Sequence, residues 1–213
     1  MPELSRLHDA ILNGDLKTSV AVTREAIEAK VEAMELVSHY MVPAMDEVGR
    51  RFECEDYFVP ELLLSARAMK GALELLRPLL AAEGAKSAGR VVIGTVKGDL
   101  HDIGKNIVGA MLEGGGFEVI DLGSDVAPQK FVDTVKERNP NLLCLSTLLT
   151  VTMPSMKTTI EALKQAGVRD GVKVLVGGAP VTSDFAREIG ADGYGESAAV
   201  AVTLARKLVV EAA

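Results

Sequence analysis

The chain has 213 residues, of which 48% are hydrophobic and 25% charged, and its formal net charge is −7. This composition allows a buried core and excludes a disordered chain, and no apolar run reaches the roughly 18 residues that a membrane-spanning helix needs. The negative charge and an aromatic fraction of only 4% argue against nucleic acid and against an anionic membrane as partners.

The two cysteines and the first residues indicate the compartment. Cys54 and Cys144 are far apart in sequence, and Cys144 lies in an apolar run where a buried thiol acts as a small hydrophobe. No disulfide framework is implied. The first six residues are polar and lack the apolar middle of a signal peptide, so we expect a cytoplasmic protein.

Helical spacing of apolar residues dominates the first part of the chain, up to about Glu83. The connections between the predicted helices are short, which is typical of an antiparallel four-helix bundle. We place the helices at about Glu3–Asn13, Asp15–Ala29, Glu32–Glu53 and Val59–Ala82, with a kink at Pro43 in the third.

Large apolar residues crowd the turn between the third and fourth predicted helices. Phe52, Tyr57, Phe58 and Val59 stand where a solvated turn would be polar. An exposed apolar cluster of this kind indicates a partner surface.

Small residues with glycines from Gly84 to Gly89 predict a linker, and we expect domains over residues 1–86 and 87–213. Beyond the linker, β-branched apolar runs alternate with helical segments, which indicates an α/β domain with a parallel sheet and crossover helices. The predicted strands are Arg90–Val96, Phe117–Leu122, Leu142–Ser146, Lys173–Val176 and Asp192–Tyr194.

Five such repeats fit a flavodoxin-like, doubly wound sheet of order 2-1-3-4-5, which binds ligands at the carboxyl ends of strands 1 and 3. Gly98–Gly104 follows the first strand, with His101 two residues after Asp99. An imidazole, a carboxylate that fixes its tautomer and flanking glycines are the parts of a metal-ligand loop. The hydroxyl-rich Ser146–Thr152 follows the third strand, and Gly177-Gly178 ends the fourth, which leaves room for a ligand on the backbone.

Three other kinds of site are excluded by spacing or position. Gly98–Lys105 has one residue too many for a phosphate-binding P-loop and carries Asn106 where Ser or Thr should follow. Gly193–Ala198 fits a loose dinucleotide pattern but lies at the last strand, and the sequence ends before an acidic residue could follow Ala198 by about twenty positions. A phospho-receiver domain needs an acceptor Asp after strand 3, where this chain has Ser146 and Thr147.

Three motifs carry a family resemblance. Asp99–Gly104, Ser146–Leu148 and Gly177-Gly178 look like the D-x-H-x-x-G, S-x-L and G-G signature of cobalamin-binding domains. The helical part resembles the cap of the same domains in methyltransferases, notably across residues 43–69. The likeness spans nearly the whole chain. It is strongest to the small corrinoid proteins that work with methylamine, methanol or aryl-ether methyltransferases, and the same module occurs in cobalamin-dependent methionine synthase.

The resemblance implies a binding site residue by residue. His101 would be the lower axial ligand of cobalt in place of the cofactor's own dimethylbenzimidazole, Asp99 would accept the other ring proton, and Thr152 would extend this relay. The family often has Ser at this last position, and Thr keeps the hydroxyl. Residues implied to contact the cofactor are Gly98, Asp102, Ile103, Gly104, Ser146, Leu148, Thr150, Gly177, Gly178 and Ala198, with Phe52, Val59 and Leu62 over the upper face of the corrin.

The resemblance also implies a function. The protein would carry a methyl group from a substrate-specific methyltransferase to a second methyltransferase that acts on a thiol such as coenzyme M or on tetrahydrofolate, and a reductive activator would serve it. It would be a carrier and not a complete enzyme. One alternative is the cobalamin-binding subunit of an adenosylcobalamin-dependent mutase, which does not ordinarily carry this helical cap. A second is a cobalamin-based sensor, which should have a basic DNA-binding segment that this sequence lacks.

Overall fold

The computed structural model describes residues 3–82 and 88–211, which fall into two compact units. One unit lies within Met1–Ser87 and Ala110–Gly116, the other within Ala88–Gly109 and Phe117–Ala213. Most of the predicted linker, with the predicted domain boundary near residue 87, lies outside the described residues. That boundary therefore stays a prediction.

The first unit is helical, as predicted. Its helices pack on one another around apolar side chains such as Leu7, Ile11 and Met45, which are almost completely buried. Asp15 caps the second helix by accepting a hydrogen bond from the backbone N–H of Thr18 at 3.0 Å. The helices are α1 (Ser5–Leu12), α2 (Leu16–Glu28), α3 (Ala33–Leu36), α4 (Val42–Glu53) and α5 (Val59–Ala82).

The third predicted helix is present but is not a regular α-helix. A π-helical turn, Val37–Met41, joins α3 to α4 without a break and ends two residues before Pro43. Pro43 has no N–H to donate to the carbonyl of His39, so the regular ladder of hydrogen bonds is interrupted there. The predicted irregularity at Pro43 therefore takes the form of a widened turn.

The second unit is the predicted doubly wound sheet. The described strands are all parallel and stand in the order β2-β1-β3-β4-β5, which confirms the predicted topology. The elements are β1 (Arg90–Thr95), α6 (Ile103–Gly114), β2 (Glu118–Asp121), α7 (Pro128–Arg138), β3 (Leu142–Ser146), α8 (Pro154–Gln165), β4 (Lys173–Gly177), α9 (Ser183–Ile189), β5 (Gly193–Gly195) and α10 (Ala198–Glu211). The end of α6, from Ala110, is assigned to the first unit.

The strand register brings the ends of four strands together. Thr95, Ser146, Gly177 and Gly195 are successive partners across β1, β3, β4 and β5. The loops that follow these residues therefore emerge side by side at one edge of the sheet. β1 was predicted to reach Val96, which instead leaves the strand to form an isolated bridge with Val126.

Within residues 3–82 and 88–211, no helix combines the length and the apolar composition needed to cross a membrane.

Candidate functional site

The loop between β1 and α6, which carries Asp99 and His101, is held in place by the loop after β2. Gly98 has a φ of +88°, in the region that favours glycine. Its N–H donates to Asp125 Oδ1 at 2.8 Å, and the N–H of Asp125 donates to the carbonyl of Asp99 at 2.9 Å. Asp125, in the loop after β2, thus fixes the backbone on which Asp99 stands. Sequence reasoning missed this residue.

Asp99 is completely buried and its two oxygens serve two loops. Oδ1 accepts hydrogen bonds from the backbone N–H of His101 at 3.0 Å and from its ring Nδ1 at 2.8 Å. Oδ2 accepts from the N–H groups of Leu148 and Leu149 at 2.7 and 3.3 Å, and it lies 2.8 and 3.0 Å from the hydroxyl oxygens of Thr147 and Thr152. Asp99 thus joins the loop after β1 to the loop after β3.

Opposing effects set the pKa of Asp99. Burial alone would raise it, but the hydrogen bonds from the backbone N–H groups of His101 and Leu148, from the Thr147 hydroxyl and from the His101 ring together outweigh burial. The pKa of Asp99 therefore lies well below its ordinary value, and the side chain is a carboxylate.

The carboxylate fixes the tautomer of His101. Because Asp99 can only accept, Nδ1 carries a ring proton, so that in the neutral form of the imidazole the lone pair is on Nε2. The His101 side chain is 50% exposed. No residue within 3–82 or 88–211 makes a hydrogen bond to Nε2. This nitrogen is free to bind a metal ion, as its sequence context predicts.

The loop after β3 supplies the groups that contact Asp99 Oδ2. It ends in a short 3-10 turn at Thr150–Thr152, and its two buried hydroxyls, those of Thr147 and Thr152, lie 2.5 Å apart beside Asp99. The contact between Thr152 and Asp99 was expected. Thr147 was not among the expected site residues, although its position directly after a buried strand, where the sheet order reverses, was a usable signal.

Gly177 ends β4 and Gly178 follows it, and both are glycine for a structural reason that differs from the expected one. A Cβ atom on Gly177 would lie 2.8 Å from the carbonyl oxygen of Gly195, and one on Gly178 would lie 1.8 Å from that of Thr147. Neighbouring backbone therefore requires glycine at both positions, whereas the expected reason was a ligand on the backbone. That these glycines also contact a ligand stays a prediction.

Exposed apolar side chains surround His101. Leu100 and Ile103 are 73% and 72% exposed, and Leu148 is also exposed. A Cβ on Gly104, in the first turn of α6, would meet no atom within 4 Å. The remaining expected residues of this unit also lie at the ends of strands or the starts of helices: Gly98, Asp102 and Thr150 are exposed, Ser146 is half-buried, and Ala198 is buried.

The expected residues of the helical unit have different degrees of burial. Phe52, near the end of α4, and Val59, at the start of α5, are half-buried, whereas Leu62 is fully buried. The exposed apolar side chains of the same stretch are Phe58, Leu63 and Leu64. Contact of Phe52, Val59 and Leu62 with a corrin stays a prediction.

Sequence reasoning also missed a buried charge beside the site. The ammonium group of Lys105, in α6, is only 2% exposed and forms an ion pair with Asp121 at the end of β2. Asp121 also accepts a hydrogen bond from the N–H of Gly123 at 2.8 Å. A lysine next to an apolar helical run is ordinarily exposed, so the sequence carried no signal for this pair.

Two family models, both described as B12 binding domain, match residues 89–203 and 3–77. The fold and the loop that carries His101 between β1 and α6, called the histidine loop below, therefore define a B12-binding protein. Trimethylamine corrinoid protein 1 of Methanosarcina acetivorans is 43% identical over 209 residues, which are 97% of either chain.

Two solved structures resemble the whole chain. A cobalamin-binding protein from Desulfitobacterium hafniense has a TM-score of 0.80 and 35% identity, covering 98% of this chain and 99% of its own. The methanol:cobalamin methyltransferase complex MtaBC from Methanosarcina barkeri has a TM-score of 0.84 and 32% identity, covering 98% of this chain and 80% of the matched one. The present chain belongs to the family of corrinoid proteins of cobalamin-dependent methyltransferase systems.

The residues of the second unit fit such a cofactor. The free Nε2 of His101 can ligate cobalt, and Asp99 keeps the other ring nitrogen protonated. The open space at Gly104 and the exposed side chains of Leu100 and Ile103 suit a large ring with apolar faces.

Proposed function

We propose that this protein carries a methyl group between two methyltransferases. One would take the group from a small methylated substrate, and the other would pass it to a thiol such as coenzyme M or to tetrahydrofolate. The names of the relatives support this, since one is a trimethylamine corrinoid protein and another belongs to a methanol:cobalamin methyltransferase complex. The chain alone is then a carrier, and a reductive activator is a further expected partner.

The observation that carries the proposal is the pair formed by Asp99 and His101. When bound, the corrinoid supplies the cobalt that accepts and releases the methyl group. His101 Nε2 is the proposed lower axial ligand, in place of dimethylbenzimidazole. Asp99 Oδ1, 2.8 Å from Nδ1, holds the ring proton and orients the imidazole. Such a partner typically changes metal affinity or activity by about 10- to 100-fold.

The other expected residues would contact the cofactor around the cobalt site. The slot for the displaced nucleotide tail would be lined by Ser146, Leu148, Gly177 and Gly178. These residues lie at or just after the ends of β3 and β4, beside the histidine loop. Residues 1–86 would form a cap domain that brings Phe52, Val59 and Leu62 over the upper face of the corrin. A cytoplasmic location stays a prediction from the sequence.

The visible spectrum tests the ligand. The chain reconstituted with cobalamin should show the spectrum of a cobalamin with a nitrogen base below cobalt, and His101→Ala should shift it towards the form without that base. His39→Ala, which removes an exposed imidazole from the helical unit, is the matched control and should leave the spectrum unchanged. An unchanged spectrum in His101→Ala would refute His101 as the ligand.

Methyl transfer tests the function. The protein loaded with cobalamin that bears a 14C-labelled methyl group should pass the label to a thiol or a folate when the cognate methyltransferase is added. Turnover with adenosylcobalamin in a mutase screen, or a shifted DNA band in a gel, would instead favour one of the alternative functions. His101→Ala is the control for transfer that does not depend on the site.

A further inference from the structure

Two threonine hydroxyls compete for one oxygen of Asp99. Thr147 Oγ1 lies 2.8 Å from Asp99 Oδ2 and Thr152 Oγ1 lies 3.0 Å from it. The two hydroxyl oxygens are also 2.5 Å from each other. The three residues are buried, so bulk solvent supplies no further donors, and the other donors to Oδ2 are the backbone N–H groups of Leu148 and Leu149.

Counting protons limits how these contacts can be made. Each hydroxyl has a single proton, whereas the triangle of contacts has three sides. Two hydroxyl oxygens at 2.5 Å repel unless a proton lies between them, so one of the two protons belongs to that contact. The other proton is available to Asp99 Oδ2 or to the carbonyl of Leu149, which lies 2.9 Å from Thr152 Oγ1 and 3.4 Å from Thr147 Oγ1. At most one of the two threonines is therefore the donor to the carboxylate.

We propose that Thr147 is this donor, and that Thr152 acts through it. The order would be Thr152 to Thr147 to Asp99, in which each hydroxyl donates once. The shorter contact with Asp99 is the one made by Thr147, at 2.8 Å against 3.0 Å. The carbonyl of Leu149 competes with Asp99 for the proton of Thr152, at 2.9 Å, but lies 3.4 Å from Thr147 Oγ1. Thr147 is a positioning residue in this arrangement, and its role towards cobalt rests on the proposed function.

The backbone of Thr147 is already fixed where the hydrogen bond needs it. Thr147 follows β3 directly, and its N–H donates to the carbonyl of Gly177 at 3.3 Å. Its own carbonyl lies so close to Gly178 that no side chain fits there. The residue therefore presents its hydroxyl to Asp99 from a rigid strand end.

Loss of this hydroxyl has a definite electronic consequence. A donor on Oδ2 draws charge from the carboxylate, so Oδ1 is a weaker acceptor for the Nδ1–H of His101 than it would otherwise be. Removing the Thr147 hydroxyl should strengthen the hydrogen bond between His101 and Asp99, with the freed proton of Thr152 taken by the carbonyl of Leu149 at 2.9 Å. Thr147 thereby sets the strength of the hydrogen bond by which Asp99 orients the imidazole that the site offers to a metal.

Nuclear magnetic resonance of the full chain without cofactor tests the proposal. With 15N-labelled histidine, the Nδ1–H proton of His101 is assigned by its absence from His101→Ala. Thr147→Val should move this resonance downfield, by at least twice the shift that Thr152→Val causes. Thr147→Ser keeps the hydroxyl and should restore the native chemical shift. If Thr147→Val folds poorly, Thr147→Ala should show the same downfield shift.

Thr134→Val is the matched control. Thr134 is also a buried threonine of the second unit, and its hydroxyl donates to the carbonyl of Lys130 at 2.8 Å, away from Asp99. A larger or equal shift in Thr152→Val, or a shift in Thr147→Val no larger than in this control, would overturn the proposal. Because no corrinoid is added, the result does not depend on whether the proposed function is correct.

Discussion

Asp99 combines two properties that rarely occur together, complete burial and a full negative charge. Burial of an unpaired carboxylate is costly, and the cost is offset only by hydrogen bonds to the charged form. Here the N–H groups of His101 and Leu148 and the hydroxyl of Thr147 supply those bonds. The anion in turn holds the imidazole of His101 in a single tautomer.

Asp99→Asn should weaken cobalamin binding by about 10- to 100-fold, because the amide keeps the size of the side chain but loses the charge that fixes the imidazole. Equilibrium dialysis against cobalamin measures the affinity. Asp133→Asn, at an exposed position of α7, is the matched control and should bind normally. Equal affinities for the two variants would contradict the role of Asp99.

The two cysteines should differ in reactivity. Burial raises the pKa of Cys144 to about 12, whereas Cys54 is exposed. A thiol reagent that reacts with thiolates should therefore modify one thiol per native chain at neutral pH, and none in Cys54→Ser. Two modified thiols in the native chain would contradict the burial of Cys144, and unfolding with urea should expose both.

At the scale of elements, the start of α6 is anchored to the end of β2. Lys105 is buried and pairs with Asp121, which also accepts from the N–H of Gly123. The carbonyl of Gly123 accepts from the N–H of Thr95, and the hydroxyl of Thr95 donates to the carbonyl of His101 at 3.0 Å. The histidine loop is thus supported on the side away from Asp99 as well.

Asp121→Asn should lower the free energy of unfolding by about 1 to 3 kcal/mol, since it leaves the buried ammonium of Lys105 without its counter-ion. Urea unfolding measures the change. Glu118→Gln removes another carboxylate of β2, whose pair with Arg90 is largely exposed, and should cost less than about 1 kcal/mol. A cost for Asp121→Asn as small as this control would show that the pair contributes little.

The ion pairs of α4 predict a dependence of stability on pH. Hydrogen bonds from Arg50 and then Arg51 lower the pKa of Glu47 from 4.5 to about 2. A depressed pKa means that Glu47 stabilises the folded chain above its ordinary pKa and loses this contribution as the pH falls towards 2. The difference in unfolding free energy between the native chain and Glu47→Gln should therefore shrink below about pH 4.5. A constant difference would contradict the lowered pKa.

Elements whose formation depends on the residues of their own segment could be predicted from the sequence. β3 was predicted with its observed bounds, because Leu142–Ser146 is an apolar run between turn residues. The π-helical turn before Pro43 could not, because the sequence signals an irregularity there but not its form. Lys105 was missed because its role depends on Asp121, a partner from another element that the fold alone brings near. Thr147 was missed although its position directly after β3 was a signal, since its partner Asp99 also lies in another element.

At the scale of the whole molecule, the residues that could hold the cofactor from below all belong to the second unit. The register of the sheet brings the ends of β1, β3 and β4 to one edge. The loop with His101, the loop with Thr147 and Thr152, and the pair Gly177-Gly178 lie at these strand ends. B12 binding domain models match both the helical part and the sheet. The helical unit is the proposed source of cover for the opposite face.

The most direct test of the central claim is electron paramagnetic resonance of the protein loaded with cobalamin in its cobalt(II) state. A nitrogen ligand below cobalt splits each cobalt line into three when it is 14N and into two when it is 15N. Protein labelled with 15N at histidine alone, mixed with unlabelled cobalamin, should give doublets, because the ligating nitrogen would be Nε2 of His101. Triplets would show that dimethylbenzimidazole remains on the metal, and would contradict the account.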